Sequence, residues 1–292
     1  MSAYVDPRFR PTLWPGTVIP APPLRPFGPR EIAVEGDWIT WRIKDSRGTE
    51  TSHLPSDFYL RELMDLSADD LDGVAETFST YGMLFDLDGR DLNLNDYDEP
   101  ERQAIVELTR LDPCDDPWLG GVHRDLVKVH LQTAQEAVAT WLACQREGGL
   151  EELVEPEVTD EKLAFFHAQN PDSPPWPHSL DHLRDVLIDF RLTSFDSILE
   201  SALSRFSIGV SGLADRNPTI YSVAFLQLYN HLAEEASVRR CANDNCGRNF
   251  VRQRGRAEYG QHRTTGVKYC SRECARAQAQ RDLRRRRRAT TT

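Results

Sequence analysis

The fold of the C-terminal part is decided by residues 241–274, which read CANDNCGRNFVRQRGRAEYGQHRTTGVKYCSREC. Four of the six cysteines lie here, as a Cys241-x4-Cys246 pair and, after 23 residues, a Cys270-x3-Cys274 pair. Two close cysteine pairs joined by a short loop have the spacing of a structural zinc site, with four thiolates at ~2.3 Å from the metal. We therefore predict one structural Zn²⁺ bound by these cysteines. The alternative is a set of buried or redox-active thiols.

The residues around the two pairs predict a small module of the treble-clef type. The segment between Cys241 and Cys246 is polar and favours a turn, and Phe250 and Val251 then begin a short strand-like piece. A second strand-like piece is predicted at Val267, Tyr269 and Cys270. Ser271 is placed to cap a helix on which Cys270 and Cys274 share one side, because residues four apart are neighbours on a helix.

Charge divides the chain into two unlike parts. Residues 239–292 hold 16 Lys and Arg against four Asp and Glu, a formal charge of +12, whereas residues 1–238 hold 19 against 42, or −23. A strongly basic end on an acidic body is typical of a polyanion-binding protein. The predicted nucleic-acid contacts are the basic side chains of the loop and of the last helix. They are Arg252, Arg254, Arg256, Arg263, Lys268, Arg272, Arg276, Arg281, Arg284, Arg285 and Arg288.

Two other interpretations of the basic residues stay open. The basic end could dock on the acidic body, or residues 284–288 could be a disordered solubilising tail. Base recognition needs side chains that reach the edges of the bases, and Gln278 and Gln280 are the candidates on the predicted helix.

Composition indicates a globular protein of two domains. The chain has 292 residues, 39% apolar and 28% charged. The sequence contains no run of about 18 apolar residues, so no membrane-spanning helix is predicted. The first residues lack the apolar core of a secretory signal. Cysteines spaced for metal binding favour a reducing compartment, so we expect a cytoplasmic protein without a membrane partner.

The part before the cysteines is predicted to be a mainly helical, acidic domain over residues 31–237. It follows a proline-rich arm, residues 1–30, whose Phe9, Trp14 and Phe27 suggest that the arm lies against the domain. Alternation over residues 31–43 predicts a small β-hairpin. Helical periodicity follows, with Ser67 as an N-cap, and longer helices are expected at about 122–144, 180–206 and 219–237. The basic module then covers residues 238–292.

Motifs for catalysis are missing, so we expect that the protein is not an enzyme. There is no glycine-rich phosphate loop. Residues 86–91 resemble a calcium loop, but the glycine falls at the fourth position rather than the sixth and no glutamate stands at the twelfth. His178 and His182 have helical metal-pair spacing without the glutamate of a metalloprotease, and His123 and His130 are interpreted as structural. Cys114 and Cys144 are most simply unpaired structural thiols.

Residues 219–288 resemble the CGNR zinc-finger proteins, a family of bacterial transcription regulators. The resemblance rests on an apolar helix ending LQLYNHLAEEASVRRC, the CANDNCGRNF knuckle, the YCSREC return and an arginine-rich terminal helix. The Cys-Gly-Asn-Arg of the family corresponds to Cys274-Ala275-Arg276-Ala277 in this chain. The resemblance implies DNA binding and favours DNA over RNA.

Two hypotheses of function follow. In the first, the zinc module binds DNA and the acidic body senses an effector or forms a homodimer, as in a transcription regulator. In the second, the protein mediates protein interaction or assembly, zinc is purely structural, and the arginines dock on an acidic partner or on the body. RNA remains an alternative partner in the first hypothesis. The sequence identifies no operator and no effector.

Overall fold

The computed structural model describes residues 4–11, 13, 17–27, 31–42, 50–85, 99–111, 113, 116, 118–169, 174–204, 206, 218–252 and 268–289. The protein is mainly helical, as the sequence predicts. The described helices are α1 (Glu62–Asp65), α2 (Leu71–Tyr81), α3 (Glu99–Leu108), α4 (Arg124–Cys144), α5 (Gly149–Val154), α6 (Asp160–Gln169), α7 (Leu180–Ser204), α8 (Ile220–Ala233) and α9 (Arg272–Ala289). Among these residues, no helix combines the length and the apolar character that crossing a lipid bilayer requires.

A three-stranded antiparallel sheet lies beside the helices. Its strands, in order, are β1 (Ile32–Glu35), β2 (Trp38–Arg42) and β3 (Leu119–His123). The predicted hairpin is confirmed by β1 and β2, with Gly36 at a φ of +61° in the turn. The predicted helix start near Val122 is wrong, because Val122 pairs with Ile39 in the sheet and α4 begins at Arg124.

The start of α2 is capped by Asp70 rather than by Ser67. The Asp70 carboxylate accepts a hydrogen bond from the backbone N–H of Gly73 at 3.0 Å, which satisfies one of the free donors of the first turn. The Ser67 hydroxyl accepts from the N–H of Asp69 instead, in the turn before the helix. Ser67 and Asp70 are both of a residue type that caps helices, but only Asp70 directly precedes the first residue of α2. The prediction of Ser67 as the cap is therefore wrong.

The hydrophobic core is centred on α4, α7 and α8. α7 packs against both α4 and α8, and Trp141, Phe195 and Phe225 are almost wholly buried between them. α8 is buried along nearly its whole length. It begins with a capping box in which the Thr219 and Ser222 side chains accept each other's backbone N–H. A helix that is apolar on all sides belongs in a protein interior.

α8 ends earlier than the sequence predicts. The prediction extends the helix to about Ser237, but the last helical residue is Ala233. Glu235 takes a φ of 51°, in the left-handed region, and the N–H of Ala236 donates to the His231 carbonyl at 2.8 Å. A left-handed residue just after a helix is a common way to end it. The chain then turns directly into a strand.

The N-terminal arm lies against the body, as its aromatic residues suggest. Phe9 and Phe27 are buried, and the Phe9 ring meets the Phe195 ring edge to face at 5.3 Å between centroids. Farther along the arm, Ile19 exchanges two hydrogen bonds with the Asn230 side chain. Trp14 lies outside the described residues.

A second, two-stranded sheet follows α8. Its strands are β4 (Ser237–Arg240) and β5 (Asn249–Arg252). Val238 and Val251 pair across this hairpin and pack on the hydrophobic core. The strand-like piece predicted near residue 268 is not found in residues 268–270, and Val267 lies outside the described residues. α9 then continues to Ala289, so residues 284–288 are helical.

Candidate metal centre

The first cysteine pair lies on a tight turn that follows β4. The N–H of Cys241 donates to the Arg248 carbonyl and the N–H of Cys246 donates to the Asn243 carbonyl, both at 2.8 Å. Gly247 has a φ of +58°, a backbone conformation that glycine adopts without steric strain. The turn predicted from the polar residues between the two cysteines is therefore present.

The second pair spans the start of α9. Cys274 lies in its first turn, but Cys270 precedes the helix, so the prediction that both cysteines lie on the helix is wrong for Cys270. The Ser271 hydroxyl accepts the N–H of Cys274 at 3.2 Å, so the predicted cap is confirmed. The segment before Cys270 is fixed to the first turn by a hydrogen bond from the N–H of Ala242 to the Lys268 carbonyl at 2.7 Å. Two local structures with independent sequence signals thus bring their cysteines together.

The four thiols form one cluster. The sulfur atoms of Cys241, Cys246, Cys270 and Cys274 all lie within 4.8 Å of one another, and none is in a disulfide. Cys270 Sγ is 3.7 Å from Cys246 Sγ and 3.5 Å from Cys274 Sγ. In a tetrahedral site with ~2.3 Å metal–sulfur bonds, the sulfurs are ~3.8 Å apart. The cluster therefore fits one metal ion with four thiolate ligands.

Hydrogen bonding and burial shift the pKa values of Cys241 and Cys270 in different directions. Burial alone would raise the pKa of Cys241, but hydrogen bonds, led by that from the N–H of Cys270 at 3.4 Å, lower it to about 7. Burial and the neighbouring sulfurs raise the pKa of Cys270. Ionisation of Cys241 therefore disfavours ionisation of Cys270, because like charges at this distance repel. A bound cation would let all four ionise.

The predicted nucleic-acid contacts are distributed over three places. Lys268 is exposed just before the second cysteine pair, and Arg252 ends β5. Arg254, Arg256 and Arg263 lie outside the described residues. The others are on α9: Arg272, Arg276, Arg284 and Arg285 are exposed, Arg281 is half-buried, and Arg288 lies in the last turn.

A polar contact between the first turn and α9 is absent from the sequence prediction. The Arg281 guanidinium donates to the Asn243 side-chain oxygen, and Arg285 pairs with the Asp244 carboxylate at 2.8 Å. Hydrogen bonds from Gln278, followed by Arg285, lower the pKa of Asp244. Asn243 also donates to the Cys274 carbonyl at 3.2 Å. These contacts could not be inferred without knowing that the metal ligands place α9 on the turn.

Gln278 does not have the position predicted for base recognition. Its side chain is only 6% exposed. Its amide oxygen accepts the N–H of Asp244 and its amide nitrogen donates to the carboxylates of Asp244 and Asp282. Gln278 is therefore part of the internal contact, whereas Gln280 is exposed.

The remaining cysteines and histidines of interest lie in the body. His123 accepts the N–H of Asp125 and so caps α4, and His130 is buried and stacked on Phe85 at 3.7 Å between centroids. His178 and His182 have their Nδ1 atoms 2.6 Å apart near the start of α7. Burial raises the pKa of Cys144 to about 12, as expected for an inert structural thiol. Cys114 and residues 86–91 lie outside the described residues.

Comparisons with known proteins give no match to a protein-family model, a curated protein or a solved structure. The resemblance of residues 219–288 to the CGNR proteins therefore stays an expectation from the sequence.

Proposed function

We propose that this chain is a zinc-dependent nucleic-acid-binding protein whose partner is duplex DNA and whose role is transcription regulation. The observation that carries the proposal is the position of the thiol cluster at the start of α9. A metal ion there would fix in place a helix of 18 residues with eight arginines and only two carboxylates.

Zinc is the metal that the donor set favours. Four thiolates in a tetrahedron suit zinc or iron, and a site with four protein ligands has no open position for substrate. Its role would therefore be structural. An absorption spectrum of the purified protein distinguishes the two metals, because a zinc site is colourless and an iron site absorbs visible light. Metal analysis then gives the number of ions per chain. One zinc per chain is expected.

Charge and shape support DNA as the partner. Most arginines of α9 point into solvent, and an α-helix fits into the major groove, which is ~12 Å wide. The formal charge of +12 on residues 239–292 attracts phosphates, while the −23 of residues 1–238 repels them. A polyanion would therefore bind to the module alone.

The other parts of the proposal follow from the sequence. The CGNR resemblance supports transcription regulation and DNA rather than RNA. The helical body would then sense an effector or form a homodimer, without catalytic activity. A site of four thiols suits a reducing environment, so we place the protein in the cytoplasm.

Protein interaction is the second candidate function, and two contacts favour it. Arg248 lies 3.8 Å from the Asp65 carboxylate of the body, and Arg285 already pairs with Asp244. Arginines of the module therefore find carboxylates within the chain, as they would on an acidic protein partner. In that case zinc would hold the module together and nucleic acid would not be its ligand.

The test is a salt titration of binding to duplex DNA with the full-length, zinc-loaded protein. If six to ten phosphates are neutralised, the logarithm of the binding constant should fall with the logarithm of salt concentration with a slope between about −5 and −9. Cys270→Ala should abolish this binding. Poly-glutamate serves as the competing partner. Absence of DNA binding at low salt, or tighter binding to poly-glutamate, would contradict the proposal.

A further inference from the structure

We propose that α9 has two faces with different tasks. The knuckle face, with Arg281 and Arg285, holds the helix on the turn of the first cysteine pair. The outer face, with Arg272, Arg276, Arg284 and Arg287, binds the phosphates of the nucleic acid. The inference rests on the proposed function and deepens it, because it assigns separate tasks to arginines that the sequence cannot distinguish.

The knuckle face is defined by its spacing and by its contacts. Cys274, Gln278, Arg281 and Arg285 are four, three and four residues apart, which places them on one side of a helix. Three of them contact Asn243 or Asp244 through their side chains. The fourth, Cys274, is a predicted metal ligand whose carbonyl accepts the Asn243 amide. Every member of this face thus joins α9 to the first turn.

Asp244 is an anionic partner that Arg285 already has within the chain. Its carboxylate accepts the Arg285 guanidinium at 2.8 Å and the Gln278 amide at 3.1 Å. Arg281 is engaged in the same way, because it donates to Asn243 and, at 3.0 Å, to the Gln278 oxygen. A phosphate that bound these two guanidinium groups would compete with the contacts that hold the helix on the first turn.

The outer face lies on the opposite side of the helix. An α-helix turns ~100° per residue, so its four arginines fall within ~120° of one another and away from Cys274. All four are exposed. From Arg272 to Arg287 the row extends over ~22 Å, with a phosphate charge every ~1.7 Å along the DNA axis. A row of this length can contact several phosphates at once.

Two double variants of the full-length protein test the division, each removing two charges from α9. Arg276→Gln/Arg284→Gln changes the outer face and Arg281→Gln/Arg285→Gln changes the knuckle face. The measurements are the salt slope of duplex DNA binding and the rate of zinc transfer to a chelator. We expect the outer-face variant to lower the magnitude of the slope by about 1.8, that is, two phosphate contacts, with the zinc transfer rate unchanged. The knuckle-face variant should release zinc at least severalfold faster.

Asp244→Asn keeps the test decisive if the knuckle-face variant does not fold. It leaves every arginine in place but weakens the contact, so we expect faster zinc release with no decrease in the magnitude of the salt slope. A decreased slope in Asp244→Asn, or unchanged zinc release in both knuckle-face variants, would overturn the division. So would an unchanged slope in the outer-face variant. If the wild-type protein binds no DNA, the proposed function fails and the phosphate task with it, while the zinc measurements still decide the knuckle task.

Discussion

In the helical body, Trp141 and Phe225 are wholly removed from solvent, whereas in the cysteine module most side chains of α9 are exposed. The body is stabilised by apolar burial between long helices. Among its described residues, the module buries little apolar surface beyond Phe250 and the half-buried Val238 and Val251. Its remaining contacts are hydrogen bonds, ion pairs and the thiol cluster.

The difference indicates that the two regions depend on different conditions. Apolar burial is roughly proportional to area and supports the body without any ligand. A small segment with little core needs a metal, and structural zinc supplies about 10–16 kcal/mol in zinc-finger peptides at neutral pH. The two regions should therefore respond separately to metal removal, core mutation, pH and loss of a helix cap.

Removal of a metal ligand should have the largest effect. Cys270→Ala is expected to unfold the module, because three thiolates hold zinc far less well than four and the described residues of the module form only a small apolar core. Limited proteolysis should then cleave within residues 238–289 while the body remains resistant. Zinc content is measured on the same samples.

Cys144→Ala is the matched control, because Cys144 is a buried thiol of α4 outside the cluster. It should leave zinc content unchanged and reduce the stability of the body by about 1 kcal/mol. A module that stays protease-resistant in Cys270→Ala would show that its other contacts suffice without the metal.

A large cavity in the core should destabilise the body and leave the module intact. Trp141→Ala removes the largest fully buried side chain and should destabilise the body by about 3–5 kcal/mol. The melting temperature should fall by roughly 6–20 °C. Trp118→Ala is the control, since Trp118 is 58% exposed. Equal melting temperatures for the two variants would mean that Trp141 is not part of a packed core.

Acid should weaken the body through its buried histidines. Burial lowers the pKa of His130 to about 3 and that of His231 to about 4, against about 6.5 in the unfolded chain. Below pH 6.5 the unfolded chain binds protons that the folded chain does not, so stability is lost as the pH falls toward the folded pKa values. Each histidine contributes up to about 1.4 kcal/mol per pH unit.

His130→Leu should remove one of these two contributions. Urea unfolding between pH 7 and pH 4 should therefore show a shallower loss of stability than in the wild type, because leucine takes up no proton. The control is His53→Leu, which replaces an exposed histidine. If His130→Leu and the wild type lose stability in parallel, His130 takes up a proton in the folded protein as readily as in the unfolded chain.

Loss of a helix cap should have the smallest effect, and each cap should affect only its own region. Thr219→Ala removes the capping box of α8 and should cost the body about 1 kcal/mol in urea unfolding. Ser271→Ala removes the cap of α9 at the thiol cluster and should accelerate zinc release instead. Faster zinc release in Thr219→Ala would show that the two regions are coupled through α8 and β4.

The thiol cluster could be predicted because its signal is local. Two cysteine pairs and the Ser271 cap each act within a few residues, and their chemistry leaves few arrangements. The hairpin of β1 and β2 is local in the same sense. The end of α8 was not predictable from periodicity, because its apolar pattern continues in Val238, which is half-buried as part of a strand instead.

Features that depend on distant partners could not be predicted. β3 contains Gly120 and Gly121, which do not favour strands. In the sheet Gly120 lies against Trp41, and a Cβ atom would come within 2.6 Å of the indole Nε1. Gly120 is required because Trp41, some eighty residues earlier in the chain, leaves no space for a side chain. A local sequence pattern does not reveal this contact. The contact of Arg281 and Arg285 with the first turn depends in the same way on the thiol cluster, which brings together cysteines from the first turn and from α9.

Hydrogen exchange on the full-length protein, with and without bound zinc, is the most direct test of the difference between the two regions. Removal of zinc should abolish the protection of β4, β5 and α9 and leave the protection of α4, α7 and α8 close to its original value. Loss of protection throughout the chain would contradict separate stabilisation, and unchanged protection in α9 would contradict a metal-dependent module.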